Sequence, residues 1–202
     1  MFEITFPDNI NNWINAKIKT EDLFKLLFYV LINLNIINFI LNEKQNYIMQ
    51  KIKIRPAVKS DSKTITKLIL ELADFEKLTP PGKKGRKRLI RHAFSKNPPF
   101  KVLLAETESG TAGYAFYFFT YSSFVARRTL YLEDIFISEK YRSKGIGKMF
   151  MDKLRDIALK NKCGRMEWVV LDWNVNAINF YEKYGAKELS EWKTFRLTFE
   201  NP

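Results

Sequence analysis

The stretch Leu132–Leu154, LEDIFISEKYRSKGIGKMFMDKL, decides how the chain is read. Apolar residues up to Ile137 close a strand that starts near Thr129. A short loop, Ser138 to Tyr141, then leads into Arg142-Ser143-Lys144-Gly145-Ile146-Gly147, and an amphipathic helix runs from about Ser143 to Lys160. A strand, a glycine-bearing turn and a helix start make an anion site. Gly145 and Gly147 let backbone approach a ligand closely. First-turn amides have no intrahelical acceptor, and the helix dipole favours negative charge there. Arg142, Lys144 and Lys148 add formal positive charge. A pyrophosphate is the natural occupant; the alternative on spacing alone is an ordinary loop that starts with glycine. GxxxxGK[ST] is absent, so this is not a Walker A loop. G-x-G-x-x-G is absent, so it is not the dinucleotide fingerprint.

Upstream, Lys51–Arg55 (KIKIR) alternates as a short strand does. Ser60 or Asp61 can cap a helix whose apolar positions Ile65, Leu68, Ile69 and Leu72 recur at helical spacing. Thr79-Pro80-Pro81-Gly82 breaks that helix. A basic run follows, and a second helix is expected from about Arg86 to Phe94. Strands are expected at Lys101–Glu106, Thr111–Tyr121 and Thr129–Ile137. Downstream of the decisive stretch come a strand at Arg165–Leu171, a helix at Val175–Tyr184 stopped by Gly185, and a last strand at Thr194–Phe199. The order β-α-α-β-β-β-α-β-α-β is that of a mixed α/β domain.

The chain has 202 residues, which allows one domain with an appendage. Apolar residues make up 46% and charged residues 28%, a globular composition that excludes a mostly disordered or fibrous chain. Cys163 and His92 are the sole residues of their types, which excludes an internal disulfide, a cysteine zinc cluster and a histidine-rich metal site. No metal is expected. Cys163 lies between a helix end and a strand and reads as a packing residue, so nucleophilic catalysis is not expected. The net charge is +12, which points to an anionic partner. Residues 1–48 carry four Lys against five Asp and Glu, so the positive excess lies wholly after them.

Further blocks sharpen the reading. Asp172-Trp173-Asn174 precedes Ala177, Asn179, Phe180 and Tyr181, then Gly185-Ala186. The Arg142–Gly147 loop resembles the R/Q-x-x-G-x-G/A signature of the GNAT family of N-acetyltransferases. The second block resembles that family's N-x-x-A-x-x-F-Y-x-x-x-G-A/F segment. LYLEDIF, YRSKGIG and LDWN…FY together are similar to the spermidine/spermine (diamine) branch, including its thialysine-acetylating members. The resemblance spans about Ile52 to Phe199. It implies a GNAT fold, a mixed central sheet flanked by helices, and acetyl-CoA as co-substrate. It implies that backbone groups of Ile135, Phe136 and Ile137 pair with the pantetheine arm. The pyrophosphate would fall to Arg142, Ser143, Lys144, Gly145, Ile146, Gly147 and Lys148. Asn174, with Ala177, would contact the cofactor arm, and Tyr181 would act as general acid to the departing thiolate. The acceptor-side carboxylate matches Glu133, with Asp134 beside it. It also implies a homodimer, often completed by C-terminal strands.

The chemistry agrees with these assignments. An amine of pKa near 10 is mostly protonated at neutral pH, so a base assists transfer, and a phenol can donate a proton at sulfur. Glu133 and Asp134 fall on opposite faces of a regular strand, so only one should face the cleft, and the family pattern favours Glu133. The plainer alternatives are an ion-paired strand carboxylate for Glu133 and a packing aromatic for Tyr181.

The acceptor is less defined. Tyr121-Ser122-Ser123-Phe124 stands where the polyamine enzymes carry an acidic residue and a Trp. The run Lys83, Lys84, Arg86, Lys87, Arg88 and Arg91 would repel a polycation. Trp173, Glu191 and Trp192 are candidates for the acceptor wall, since an aromatic face can hold an alkylammonium. No nucleic-acid motif accompanies the basic run, and no nucleic-acid partner is expected. The expected reaction is direct acetyl transfer to a primary amine of a small molecule, in the cytoplasm. Protein acetylation, or a non-catalytic CoA-binding or nucleic-acid-binding module, are the competing readings.

Residues 1–48 form a separate extension before a domain at 49–202. Leu23–Leu41 is long enough to span a bilayer, but Lys25, Asn33, Asn35 and Asn38 interrupt it. Three readings stand: translation that begins at Met49, an amphipathic helix packing on the domain or a partner, or a membrane anchor. Membrane contact is expected only under the last.

Overall fold

The computed structural model describes residues 20–199 and divides the chain into two units, Met1–Ile48 and Met49–Pro202. The first 19 residues of the expected extension lie outside the described residues. In the first unit, helix α1 starts at Thr20 and continues to Gln50. Its segment Leu23–Leu41 is long and apolar enough to cross a membrane, by length and composition. Within it Asn33 returns its side-chain amide to the Tyr29 carbonyl at 2.8 Å.

The second unit is built on a five-stranded sheet in the order β1-β2-β3-β4-β5. The strands are β1 (Lys53–Pro56), β2 (Lys101–Thr107), β3 (Gly110–Ser122), β4 (Arg127–Ile137) and β5 (Arg165–Glu167). β1 to β4 form an antiparallel meander, and β5 joins β4 in parallel. Helices α2 (Ser62–Glu76) and α3 (Lys83–Ala93) lie between β1 and β2 in sequence, α4 (Ile146–Lys160) between β4 and β5, and α5 (Val175–Tyr184) after β5. This is the α/β architecture expected, with the elements in their expected order except at the C-terminus.

Alternation assigns the two faces of the sheet. Val102, Leu104, Tyr114 and Phe136 form one core cluster with Ile65 and Leu68 of α2, and Leu89 and Ile90 of α3 pack against it. Helix α4 covers the other face through buried Ile146, Phe150, Met151 and Leu154 and runs across β4, β2 and β1. The meander needs one close approach: a Cβ at Gly113 would collide with the Phe136 carbonyl oxygen. At the start of α2, Arg55 reaches Asp61 at 2.7 Å and Glu106 at 2.9 Å. The Arg55 guanidinium holds the Asp61 carboxyl below the usual carboxylate range.

Four expectations change. Helix α4 begins at Ile146 and not near Ser143, because Gly145 caps it in the left-handed conformation (φ 79°). Helix α3 begins at Lys83, ahead of Arg86, because Gly82 supplies an extended N-cap (φ −61°, ψ 172°). β5 ends at Glu167 and does not continue to Leu171. No strand forms at Thr194–Phe199 among the described residues; Phe195, Leu197 and Phe199 are exposed there. Alternation alone cannot make a strand. It needs an edge to bond to, and this segment meets none.

Candidate active site

The short β5 positions the site. It pairs with β4 only over Thr129–Tyr131. Beyond that point β4 keeps its partner on the β3 side, Phe136 opposite Tyr114 and Ile135 opposite Ala115, while its other edge is unpaired. The two strands open like a V. Alternate residues of a strand address opposite edges. Phe136 turns its carbonyl toward Gly113 of β3, so Ile135 and Ile137 address the unpaired edge, and this corrects the expectation for Phe136. An unpaired strand edge can accept an extended, amide-bearing ligand by strand addition. The Ile137 carbonyl has a different partner, Arg142 Nε at 3.0 Å.

At the mouth of the gap the chain turns through Glu139–Tyr141 into the loop. Ser143 (φ 59°) and Gly145 (φ 79°) both take the left-handed conformation, and Gly145 caps α4. Ser143 carries a side chain in this disfavoured region. Successive amides in such a turn form a concave nest for an anion. The amides of Ile146, Gly147 and Lys148 find no acceptor among the described residues. These features fit a pyrophosphate-bearing cofactor. The basic side chains around the loop are partly engaged. Arg142 lies over the Phe75 ring at 4.6 Å, Lys144 donates to the Lys140 carbonyl at 3.0 Å, and Lys148 pairs with Asp152 at 2.7 Å.

Gly147 joins this loop to α5. A Cβ there would lie 3.3 Å from the Phe180 ring and 3.7 Å from Ile137, so a glycine lets α5, the loop and the end of β4 meet. Asn174 caps α5, and its Oδ1 accepts from the Ala177 amide at 3.3 Å. That bond uses the oxygen and leaves the NH₂ donors for a ligand. Tyr181 follows two turns later, against Trp168 at 5.0 Å and Phe180 at 5.3 Å. Burial pushes its phenol up to about 12, so it holds its proton throughout the neutral range.

The acceptor side is a cavity of about 610 Å³ lined by Ile69 of α2, Pro81, Leu89 of α3, Pro99, Phe100, Phe116, Phe118, Glu133 and Asp134. Phe100 and Phe116 stack at 4.0 Å. Both carboxylates line it, and this corrects the expectation that only one could face the cleft. Phe116 pairs with Asp134, but its neighbour Tyr117 pairs with Leu132. Glu133 is therefore an extra residue, a bulge. Strand parity switches at this point: Leu132 faces α4, whereas Asp134 and Phe136 face α2. Glu133 sits at the switch, exposed into the cavity.

Asp134 is the more enclosed of the two. Tyr114, fully buried, donates its hydroxyl to Asp134 Oδ2 at 3.2 Å. Burial first, and the Glu133 charge second, raise the Asp134 carboxyl to about 6. Two adjacent carboxylates in a mainly apolar cavity suit an alkylammonium: its charge has partners and its carbon chain has walls.

The other expected wall residues lie elsewhere. Trp173 packs against Phe75 in a tilted pair at 5.7 Å, on the side of the Arg142 loop. Glu191 and Trp192 are exposed beyond α5. None of the three lines the Glu133/Asp134 cavity. Sequence reasoning missed Tyr114, Phe100, Phe116 and Phe118. The aromatic alternation of β3 was a signal for an apolar wall, but nothing local marked Tyr114 as the partner of Asp134.

The family model described as Acetyltransferase (GNAT) family matches residues 68–186. Mouse thialysine N-epsilon-acetyltransferase is 38% identical over 163 residues, 75% of this chain and 95% of that protein. An L-ornithine N5-acetyltransferase of Arabidopsis thaliana is 51% identical over 87 residues, 43% of this chain and 38% of that protein. Among solved structures, an integron cassette protein of V. cholerae superposes with a TM-score of 0.62 at 25% identity, covering 74% of this chain and 93% of its own.

Proposed function

The chain belongs to the GNAT acetyltransferase family, and from that premise we propose that it moves acetyl from acetyl-CoA to a primary amine of a small molecule, by direct transfer in a ternary complex. It is an acyltransferase. The acceptor classes are a diamine, a polyamine or a thialysine-like amino acid. The observation that carries the reading is the Glu133 bulge. It sets two carboxylates in one apolar cavity on the same strand whose open edge and following loop suit the cofactor.

Acetyl-CoA supplies an activated thioester. Main-chain groups of Ile135, with the Ile137 amide, hold its arm along the open edge of β4, and the nest from Arg142 to Lys148 holds its pyrophosphate. Asn174 steadies the arm from the α5 side. Glu133 and Asp134 hold the ammonium, and Glu133, open to the cavity, takes its proton directly or through a water. The C–N bond forms as the C–S bond breaks. Tyr181 gives its proton to the sulfur and is restored, directly or through water, by the second proton that the nitrogen sheds as the amide forms, so that the free thiol of CoA and an N-acetyl amine leave. Holding both substrates together supplies much of the rate. We also propose a homodimer; the exposed alternation of Phe195, Leu197 and Phe199 supports a C-terminal segment that pairs across it. The Tyr181 and Glu133 positions disfavour a non-catalytic CoA-binding module.

The test is free-thiol release from acetyl-CoA against putrescine, spermidine, ornithine, thialysine and an acidic peptide. Turnover with one amine should fall about 100-fold or more in Tyr181→Phe, the loss expected for a positioned acid. Turnover confined to the peptide would favour a protein acetyltransferase of the same fold.

A further inference from the structure

The acceptor cavity is lined by Glu133 and Asp134 of β4 and also by Pro81 and by Leu89 of α3; Arg86 is not itself a lining residue but is bonded to one. Helix α3 reads KKGRKRLIRHA and contains no acidic residue. Among the described residues, no carboxylate lies within ion-pair distance of Lys83, Lys84, Arg86, Lys87, Arg88 or Arg91; every ion pair falls elsewhere. Most of these cations are exposed, but Arg86 is half-buried. It stands one turn before Leu89, on the face that Leu89 and Ile90 turn toward the core. One terminal nitrogen of Arg86 donates to the Pro81 carbonyl at 2.6 Å, so its guanidinium is fixed to a residue of the cavity wall. The remaining N–H donors of the fork have no protein acceptor. A fixed, unneutralised guanidinium is a ready bidentate partner for a carboxylate.

We infer that the acceptor is an amphoteric amine, with its reacting ammonium on Glu133 and Asp134 and a carboxylate at its far end on Arg86, and that Arg86 is the residue that selects it. This rests on the acetyl-transfer reading above. The cavity volume suits a small molecule of this kind. A diamine of the same length brings a second cation to the α3 side, where it meets uncompensated positive charge. An amino acid brings a carboxylate there that can pair with Arg86, and its α-ammonium leaves that end neutral overall rather than cationic.

Matched acceptors separate the two. Acetyl transfer by the full chain is measured with ornithine against putrescine, lysine against cadaverine, and thialysine against its decarboxylated analogue. Wild type should favour the carboxylate-bearing member of each pair by about 10-fold or more in kcat/KM. Arg86→Gln should remove about that factor from the carboxylate-bearing acceptors through KM, with kcat little changed. The decarboxylated acceptors should lose little, and Arg86→Lys should recover part of the preference. Unchanged turnover of the decarboxylated amines also certifies that Arg86→Gln folds. Equal or better use of the diamines by wild type, or an equal loss on both members of a pair, overturns the inference and leaves acetyl transfer standing. Turnover of an acidic peptide alone overturns the small-molecule acceptor. No thiol release with any amine overturns the acetyl-transfer reading and the inference with it.

Discussion

Replacing Asp134 by Asn should stabilise the protein while it damages the reaction. In the folded state the carboxyl sits at about 6 against an ordinary 3.8, chiefly through burial. A carboxyl raised on folding stabilises the fold when protonated. That contribution is complete below about pH 4 and is lost as pH rises through about 6. At about 1.4 kcal/mol per unit, ionising Asp134 costs the fold about 3 kcal/mol at pH 7.5. Asn is nearly isosteric and stays neutral, and its amide oxygen can still accept from the Tyr114 hydroxyl, which donates to Asp134 at 3.2 Å. Asp134→Asn should therefore match wild type near pH 3 and gain stability progressively up to about pH 6.5, reaching as much as about 3 kcal/mol. Urea unfolding midpoints measured every half pH unit from 3 to 8 read this directly, and thiol release at pH 7.5 reads the loss of activity. A variant equal to wild type at pH 7.5, or stabilised equally at pH 3 and pH 7.5, would refute the idea that a costly buried charge is kept there for the amine.

Further outcomes test neighbouring parts of the argument. Tyr114→Phe removes the donor that favours the ionised form of Asp134, so any acid limb of kcat/KM set by Asp134 should move to higher pH than in wild type, with about 1 kcal/mol lost in unfolding experiments. Gly147→Ala puts a methyl group 3.3 Å from the Phe180 ring. This should push α5 from the loop and weaken acetyl-CoA binding several-fold by calorimetry, with little change in thermal midpoint. Gly113→Ala meets the Phe136 carbonyl, which is backbone and cannot swing aside; it should cost several kcal/mol in urea unfolding and disturb β4 next to the bulge.

Local signals made the helices and the loop readable in the sequence. Ile65, Leu68, Ile69 and Leu72 repeat at helical spacing, Asn174 and Gly185 bracket α5, and Gly145 and Gly147 mark the turn into α4. Each feature acts within one or two turns of chain, and sequence reports that range well. The order of elements and the anion-binding character of Arg142–Lys148 follow from it. The acceptor side did not follow, because its geometry is non-local. Whether Glu133 and Asp134 share a face depends on how β4 registers against β3 beyond Phe116, and a bulge leaves no mark in the alternation of LEDIFI. The reach of β5 depends on where β4 turns away, and Thr194–Phe199 needs an edge that its own pattern cannot supply. Arg86 reads as one cation in a basic run until the fold ties it to Pro81 on the cavity wall. Sequence by itself determined the elements, their order and the cofactor loop, because short-range sterics and hydrogen bonding dictate these. Tertiary structure alone decided which charges meet across the cavity, because strands and helices far apart in the chain had to pack before those side chains became neighbours.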